Sequence, residues 1–514
     1  MHASLAPVLW SLLLGANLPA DYALPAAPGR FVRSQSAPPA SARKFPSGQP
    51  VIATTYFYWY DADTKAHVVD YDGTDALTEH PPTLKGFSYK NVAWHKQQLA
   101  DMTAAGIDVA MPVYWGAPDG SEGWSDAGLP KLIAARKQLL AAGKSPPAIG
   151  LFYDTSTLQY NRSGHHVDLT TPAGQRWFYG TIRNFFSLIP AEHRAYVDGK
   201  PIVFLYGPSF AAKVDESLFP EVRRMFREDF GSDIYLVKTR GWPGTADSEY
   251  EWGAALDARI LETAAIGPGY DHSAVPGRTP LVRKRDDGRF YRFSWGRLLS
   301  RDPKSRPWLV HLETWNEFHE GTEICETAEF GRKYIELTRQ MADEFHGRKQ
   351  IDMQSWFSLP EATTSPEKGV GLEILDQRDG DGPIVTGRVG GRTAWTTAPN
   401  KFVPQTRYMY FDVDYAFLVD GDETLEATVE FYDSGPQSFH IEYDSSDPAL
   451  SGLEQSFRPT EPKLLAGRKE WKQAVFTLPH ARFSGRVNGG DFRLSCRDGE
   501  LSVSRVTIRR ANRR

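Results

Sequence analysis

Between residues 51 and 346, short apolar runs alternate with longer amphipathic stretches. The apolar runs have the length of buried strands, whereas a stretch such as 88–106 places apolar residues at helical spacing and ends on a glycine. This pattern predicts strands at 51–59, 107–115, 147–154, 201–207, 233–241, 254–260, 262–270 and 307–315. It predicts helices at 88–106, 129–143, 171–189, 219–231, 290–300 and 329–346.

Strands that alternate with helices indicate parallel βαβ units, and about eight such units favour a (β/α)8 TIM barrel over residues 49–350. A doubly wound sheet is the competing α/β fold. Its first strand is usually followed by a glycine-rich phosphate-binding turn, but here the first strand leads into YFYWYDAD at residues 56–63. The barrel is therefore the predicted fold of the first domain.

After about residue 350 the apolar period changes to two, and turn residues separate short strands. We interpret residues 351–369 as a linker and residues 370–514 as an all-β jelly-roll sandwich. The predicted strands are 407–419, 423–433, 438–445, 471–479 and 490–510. Aromatic residues at strand spacing are usually core, but they can also form a sugar-binding platform. The candidates for such a platform are Trp395, Tyr408, Tyr410 and Trp471.

The N-terminus carries a short apolar run from Leu5 to Leu14. It has the length of a signal peptide and is shorter than the roughly 20 residues that span a bilayer. We predict a signal peptide at 1–23, a flexible Pro/Ala/Ser linker at 24–48 and a secreted or periplasmic protein. A disordered N-terminus is the alternative, because no Lys or Arg precedes the run.

Composition narrows the function further. The net charge of −5 and the pI near 6.3 argue against nucleic acid as a partner. The chain has 14 Trp, 22 Tyr and 28 Phe, which suits both stacking on sugar rings and ordinary packing. Two cysteines, Cys325 and Cys496, cannot build a disulfide framework, and we expect two buried thiols. We expect a monomer that needs no cofactor.

In a barrel of this kind the active site lies at the C-terminal ends of the strands. Aromatic and acidic residues gather at these ends, as expected for a sugar-binding cleft. The predicted substrate-binding residues are Tyr58, Trp59, Tyr60, Trp115, Asp154, Tyr206, Trp242, Tyr270, Asp271, Asn316 and His319.

The densest group of polar residues follows the eighth predicted strand, where Glu317 and Glu320 stand three residues apart. Glycoside hydrolysis requires two carboxyl groups, of which one protonates the leaving oxygen and the other acts as base or nucleophile. Asn316 and His319 could each hydrogen-bond a sugar hydroxyl, and His319 could also set a nearby protonation state. The structural alternative is a pair of acidic residues that stabilise a helix N-terminus. The position at a strand end favours catalysis.

Three segments carry a family resemblance. WNEFHEGTEI at 315–324 resembles the WNEWHEGTQIE-type segment of family-99 glycoside hydrolases, which are endo-acting α-mannosidases and α-mannanases, and of their family-71 relatives. TTYFYWYD at 54–61 is similar to their early aromatic segment, and IGPGYDHS at 266–273 to their PGY segment. As a whole the chain looks closest to a relative of this clan that is labelled a domain of unknown function.

The resemblance implies specific roles. Glu317 would activate the 2-hydroxyl of the sugar, which forms an anhydro-sugar intermediate, and Glu320 would be the general acid/base. Tyr58 and Tyr270 would lie beside the cleaved sugar. The sequence departs from the family at Asp154, where an early-strand glutamate is usual, at Phe318, where the family has tryptophan, and at Glu323, where glutamine is common. These departures affect mannose specificity rather than the reaction class.

Metal sites are not favoured. The run from His165 to Asp168 lies in a polar loop, and adjacent histidines rarely bind one ion. The acidic turn 376–382 lacks EF-hand spacing, so we interpret it as a solvated turn rather than a calcium site.

We predict a secreted glycoside hydrolase that cleaves a polysaccharide or glycan, possible substrates including an α-mannan. The alternative is a non-catalytic glycan-binding or scaffold protein with a decayed cleft, which a buried ion pair at either glutamate would favour. A glycosyltransferase-like protein is a third option, but the chain has no nucleotide-diphosphate signature.

Overall fold

The computed structural model describes residues 17–30, 38–278, 281–351, 359–375, 377, 380–418 and 421–511. The chain divides into two compact units, Met1–Ile351 and Asp352–Arg514. The division falls at the start of the predicted linker 351–369. Within that segment residues 352–358 lie outside the described residues, and Glu361–Ser365 forms a strand of the second unit.

The first unit is mixed α/β. Its strands are β1 Arg43–Phe45, β2 Val51–Tyr56, β3 Val109–Tyr114, β4 Ala148–Ile149, β5 Leu151–Tyr153, β6 Ala195–Val197, β7 Lys200–Leu205, β8 Tyr235–Thr239, β9 Ser248–Tyr250, β10 Arg259–Ile260, β11 Thr263–Ile266, β12 Tyr270–Asp271, β13 Val282–Arg283 and β14 Leu309–Leu312. Its helices are α1 Val92–Ala105, α2 Gly123–Ala141, α3 Pro172–Leu188, α4 Leu218–Phe230, α5 Arg289–Leu299 and α6 Lys333–Phe345. Short 3₁₀ turns lie at Thr155–Leu158, Ala191–His193, Pro208–Phe210 and Asp286–Gly288.

The main strands of this unit pair in chain order and in parallel. β2 pairs with β3, β3 with β4 and β5, β5 with β7, β7 with β8, and β8 with β9. From the other side β11 pairs with β14, and β14 pairs with β2. Between β9 and β11 the hydroxyls of Ser248 and Thr263 are 2.7 Å apart. Every residue of β2 and β3 is buried, as parallel strands covered by helices require.

The helix ends follow local sequence rules. Asn91 caps α1 by accepting a hydrogen bond from the N–H of Ala93, and Gly106 ends α1 with a φ of 86°. Thr171 caps α3, and Pro172 occupies its first turn. The six predicted helices recur, with the largest shift at the start of α2, which begins at Gly123 instead of residue 129.

The prediction for strand six is wrong. Residues 254–258 form turns, and only Arg259–Ile260 is extended, as the antiparallel strand β10 beside β11. The sixth parallel strand is β9, whose three residues are too few to show a periodic pattern. Residues 240–262, all of them described, contain no helix.

The N-terminal region makes defined contacts. Within the predicted linker 24–48, β1 pairs in parallel with β6. The N–H of Gly29 donates to the hydroxyl of Ser187, and Arg183 donates to the carbonyl of Pro25. These parts of the predicted linker are thus packed within the first unit. The Pro/Ala/Ser composition of the segment does not indicate such packing. The apolar run Leu5 to Leu14 and residues 31–37 lie outside the described residues. Across the described chain, no helix combines the length and apolar character that a membrane crossing requires.

The second unit contains two antiparallel sheets with a common core. One sheet has the order β16-β15-β27-β19-β18, with β21 pairing with β27 and β25, and the other has the order β17-β20-β26-β22-β23, with β24 beside β22. The strands are β15 Glu361–Ser365, β16 Lys368–Val370, β17 Leu372–Leu375, β18 Ile384–Val389, β19 Arg392–Thr397, β20 Thr406–Val413, β21 Glu423–Tyr432, β22 Ser438–Tyr443, β23 Arg458–Pro459, β24 Lys463–Leu464, β25 Trp471–Ala481, β26 Phe492–Arg497 and β27 Ser502–Arg510. One short helix, α7 Leu453–Ser456, precedes β23. Inward-facing residues of both sheets, such as Val429 and Phe411, meet in the core.

The predicted sugar platform is not assembled. Trp395 is part of the core. The guanidinium of Arg493 lies 3.7 Å from the ring centre of Tyr408, and the Tyr410 hydroxyl donates to Asp381. Trp471 is on a strand of the other sheet and donates its indole N–H to the carbonyl of Gly390. The four rings therefore do not share a face.

Candidate active site

The loop after β14 carries both predicted catalytic glutamates. The loop closes through Thr314 and Thr322, because the N–H of Thr314 donates to the carbonyl of Thr322 at 2.9 Å. The N–H of Trp315 donates to the carbonyl of Thr55, also at 2.9 Å, which ties the loop to β2. Glu317 and Glu320 are thus held where the strands end, as predicted from the sequence.

The two oxygens of Glu317 differ in their surroundings. Oε1 lies 2.7 Å from the Nδ1 of His319 and accepts hydrogen bonds from the N–H of His319 at 3.1 Å and from the hydroxyl of Tyr60 at 3.3 Å. Oε2 is buried and has no hydrogen-bond partner among the described residues. Burial raises the pKa of Glu317, although the charge and the hydrogen bonds of His319 act in the opposite direction. Oε1 therefore holds the carboxyl group in place, and Oε2 keeps its capacity to accept hydrogen bonds.

His319 bridges the carboxylate and a second loop. Its Nε2 lies 3.0 Å from the carbonyl oxygen of His67. Burial disfavours the charged imidazole, but the carboxylate of Glu317 outweighs this effect and raises the pKa of His319.

Glu320 lies in a different environment. Its Oε1 accepts a hydrogen bond from Arg278 at 2.8 Å, and both side chains are only 14% exposed. Its backbone carbonyl accepts from the N–H of Asp271. Tyr270 lies beside it, with its hydroxyl 2.9 Å from the Nδ1 of His272. Burial and the charge of Glu320 raise the pKa of Tyr270.

A third carboxyl group, Glu313, was not among the predicted site residues. It is buried and accepts hydrogen bonds from the N–H groups of Gly253 and Ala254 at 2.9–3.0 Å. Burial raises the pKa of Glu313 to about 8, against the opposing effect of these N–H groups, and the charge of Glu320 adds to the rise. The period of two along β14 places Glu313 on the same side as buried His311, which is the signal that could have identified it.

Aromatic rings cover the His319 side of the site. The ring of Trp59 stacks on His67 with centroids 4.5 Å apart and an interplanar angle of 4°. Trp115 meets Trp59 edge-on at 5.4 Å, and Trp124 meets Trp115 at 6.3 Å. His67 and Trp124 were not predicted, because no sequence pattern shows that their loops fold over the strand ends.

Tyr206 and Asp154 lie on the Glu320 side. The Tyr206 ring packs against Phe210 and Trp252. Burial, followed by the charges of Asp154, Glu320 and Glu313, raises the pKa of Tyr206, so these three carboxyl groups lie near its hydroxyl. Asp154 caps the 3₁₀ turn that follows it by accepting from the N–H of Ser156, and burial raises the pKa of Asp154. Carboxyl groups and aromatic rings thus converge on one rim.

Comparison with known protein families shows the family to which this chain belongs. A family model described as "Domain of unknown function (DUF5010)" matches residues 34–358. The chain belongs to this family. The DUF5010 match covers every strand and helix around the site, and it confirms the expected relationship to a domain of unknown function.

Solved structures similar to this DUF5010 protein include the GH99 endo-alpha-mannosidase from Bacteroides thetaiotaomicron, with 16% identity, a TM-score of 0.41, and coverage of 58% of this chain and 98% of that one. A "glycoside hydrolase-like protein" has 14% identity, a TM-score of 0.43, and coverage of 57% and 94%. A family 35 carbohydrate binding module from Clostridium thermocellum has 11% identity, a TM-score of 0.17, and coverage of 29% and 98%. Sequence identities of 11–16% and TM-scores of 0.17–0.43 do not identify a reaction, so the reaction is inferred from the side chains of the site.

Three residues predicted to bind substrate serve the scaffold of the DUF5010 unit instead. The Tyr58 hydroxyl donates to the carbonyl of Ser125 at 2.7 Å, which directs the ring towards α2. Trp242 is buried and donates its indole N–H to the carbonyl of Tyr206 at 2.5 Å. Asn316 is buried and exchanges two hydrogen bonds with the backbone of Phe57. Saturated polar groups of this kind are not available to a sugar.

The remaining expectations concern metals and thiols. Over the described residues, no group of three or more His, Cys, Asp or Glu side chains could hold a metal ion. In the acidic turn 376–382, residues 376, 378 and 379 lie outside the described residues. Cys325 and Cys496 are buried free thiols, which confirms that prediction.

Proposed function

We propose that the DUF5010 unit is a (β/α)8-barrel glycoside hydrolase that cleaves a polysaccharide or glycan by means of Glu317 and Glu320. The parallel strands in chain order support the barrel, with β14 returning to β2. The resemblance of the 315–324 motif to family-99 enzymes makes an α-linked mannan-type glycan the first substrate to test. For the second unit we propose jelly-roll topology, a prediction supported by its two antiparallel sheets.

One observation carries this proposal. The Oε1 of Glu317 has three hydrogen-bond partners, while its Oε2 is buried without a partner among the described residues. A carboxylate oxygen accepts hydrogen bonds, so Oε2 has an acceptor capacity that the described residues do not use. A ligand hydroxyl at Oε2 would satisfy it.

The roles follow from the surroundings of each carboxyl group. Glu317, with its free Oε2, is the base that takes the proton of the attacking hydroxyl. Glu320 is the acid that protonates the leaving oxygen, and for this it must leave Arg278 and take up a proton from solvent before it contacts the substrate. The rings of Trp59 and Trp115 on one side and of Tyr206 and Tyr270 on the other would hold the sugars.

The test is a screen of the purified protein against an array of polysaccharides, together with Glu317→Gln and Glu320→Gln. Each variant should lose at least about 100-fold in kcat on a substrate that the wild type cleaves, with an unchanged circular dichroism spectrum. Glu336→Gln on the exposed face of α6 is the matched control and should keep the wild-type rate. Wild-type turnover by Glu320→Gln would remove Glu320 from the acid role.

One finding favours the alternative, a glycan-binding protein without catalysis. The ion pair of Glu320 with Arg278 is largely buried, and such a pair engages the proposed acid. In that case the wild type and Glu320→Gln would bind the same glycan with equal affinity in isothermal titration calorimetry. Neither protein would release product from that glycan.

We also propose export, which depends only on the apolar run from Leu5 to Leu14. Fractionation of expressing cells, with N-terminal sequencing of the mature chain, tests this proposal. Cleavage near residue 23 is expected, and an intact N-terminus in the cytoplasmic fraction would contradict it.

A further inference from the structure

His319 contacts two partners that together determine where its protons lie. A carbonyl oxygen only accepts hydrogen bonds, so the Nε2 that lies 3.0 Å from the carbonyl of His67 must carry a hydrogen. The other nitrogen, Nδ1, lies 2.7 Å from the Oε1 of Glu317. It therefore either donates a second proton to a carboxylate or accepts a proton from a carboxylic acid. Glu317 and His319 share one proton.

The other contacts of Oε1 decide between these two states. The backbone N–H of His319 donates to Oε1. The hydroxyl of Tyr60 accepts from the N–H of Phe318, which leaves its own hydrogen for Oε1. Two further donors on the same oxygen favour the carboxylate, so the shared proton belongs on the imidazole.

The other groups around the pair do not compete for this proton. The ring of His67 is engaged by Trp59, on which it stacks with centroids 4.5 Å apart. Burial and the charge of Glu317 raise the pKa of Tyr60, so its hydroxyl stays protonated. The negative charge of Glu320 also favours a protonated His319.

We propose that His319 is a positioning residue that holds Glu317 as a carboxylate with Oε2 directed to substrate, and that the carbonyl of His67 fixes the imidazole for this task. This proposal rests on the proposed function for the step that uses Oε2. The carboxylate would accept the proton of the attacking hydroxyl at Oε2 while the imidazolium stays on Oε1. The hydrogen-bond chain itself exists whether or not the protein is an enzyme.

Variants of His319 separate the two contacts. In His319→Asn the side-chain N–H₂ replaces Nδ1, so the donor to Glu317 is retained without a titrating group. In His319→Gln the N–H₂ reaches the position of Nε2 and contacts His67 instead. On a cleaved substrate, His319→Gln and His319→Ala should lose about 100-fold in kcat with KM within about twofold, whereas His319→Asn should lose about tenfold or less.

Histidine ¹⁵N NMR of the full-length protein provides a test that needs no substrate, with the His319→Asn spectrum assigning the resonance. His319 should titrate above the ordinary histidine value of about 6.5, and Glu317→Gln should return it to or below that value. A neutral His319 at pH 6, or a titration that Glu317→Gln leaves unchanged, would overturn the proposal. Equal kcat losses in the Asn and Ala variants would also overturn it. Failure to find any cleaved glycan would refute the proposed function and leave the NMR result to decide this inference.

Discussion

Replacing Asn316 by alanine should destabilise the first unit rather than impair substrate binding. The Oδ1 of Asn316 accepts from the N–H of Phe57 at 2.8 Å, and its Nδ2 donates to the carbonyl of Phe57 at 2.7 Å. Asn316 is fully buried, so alanine leaves two backbone groups unsatisfied. At about 1–3 kcal/mol for each group, the free energy of unfolding should fall by roughly 2–6 kcal/mol.

Urea denaturation and hydrogen exchange of the Phe57 amide measure this loss. Exchange at Phe57 should accelerate by at least about tenfold, because 1.4 kcal/mol corresponds to a factor of ten. Asn316→Asp keeps an acceptor for the N–H but places a carboxylate against the carbonyl, so it should be nearly as damaging. Gln138→Ala, exposed on α2, is the control and should change stability by less than about 0.5 kcal/mol. Unchanged stability with weakened glycan binding would refute this reasoning.

Three further changes test the assignments of neighbouring groups. Because the pKa of Glu313 is raised to about 8 in the folded state, the free energy of unfolding should fall as pH rises from about 4.5 towards 8, and Glu313→Gln should flatten this dependence in urea melts. An identical slope in the variant would contradict the assignment. Tyr60→Phe removes a donor to Glu317 and should lower kcat about tenfold in steady-state assays, whereas a wild-type kcat would show that this contact is dispensable. Tyr58→Phe loses only the contact with Ser125, so it should cost about 1 kcal/mol in thermal unfolding and leave kcat unchanged; a fall in kcat would return Tyr58 to the cleft.

The fold of the first unit was predictable where strands are long and apolar. β2 and β3 are buried along their whole length, so their apolar runs mark them in the sequence. β1, with the sequence RKF, and β9, with SEY, are short and polar, and only their partners in the sheet make them strands. Local pattern contains no information about such partners.

The residues of the candidate site were predictable where polar or acidic side chains directly follow the end of a predicted strand. Glu317 and Glu320 stand out because a polar cluster directly follows an apolar strand. Asn316 was misassigned because a sequence does not show whether an amide faces the cleft or the backbone of Phe57. Arg278 was missed for a related reason, since its contact with Glu320 joins two loops that are distant in sequence.

The bridge between the loop after β14 and β2 has a consequence for biosynthesis. Tyr60 and Phe57 meet Glu317 and Asn316 across 257 and 259 residues of chain. Until the loop after β14 has left the ribosome, Asn316 is not available to form hydrogen bonds with the backbone of Phe57. The same contacts accompany the pairing of β14 with β2, so the candidate site is completed last, when the final parallel strand of the first unit pairs with β2.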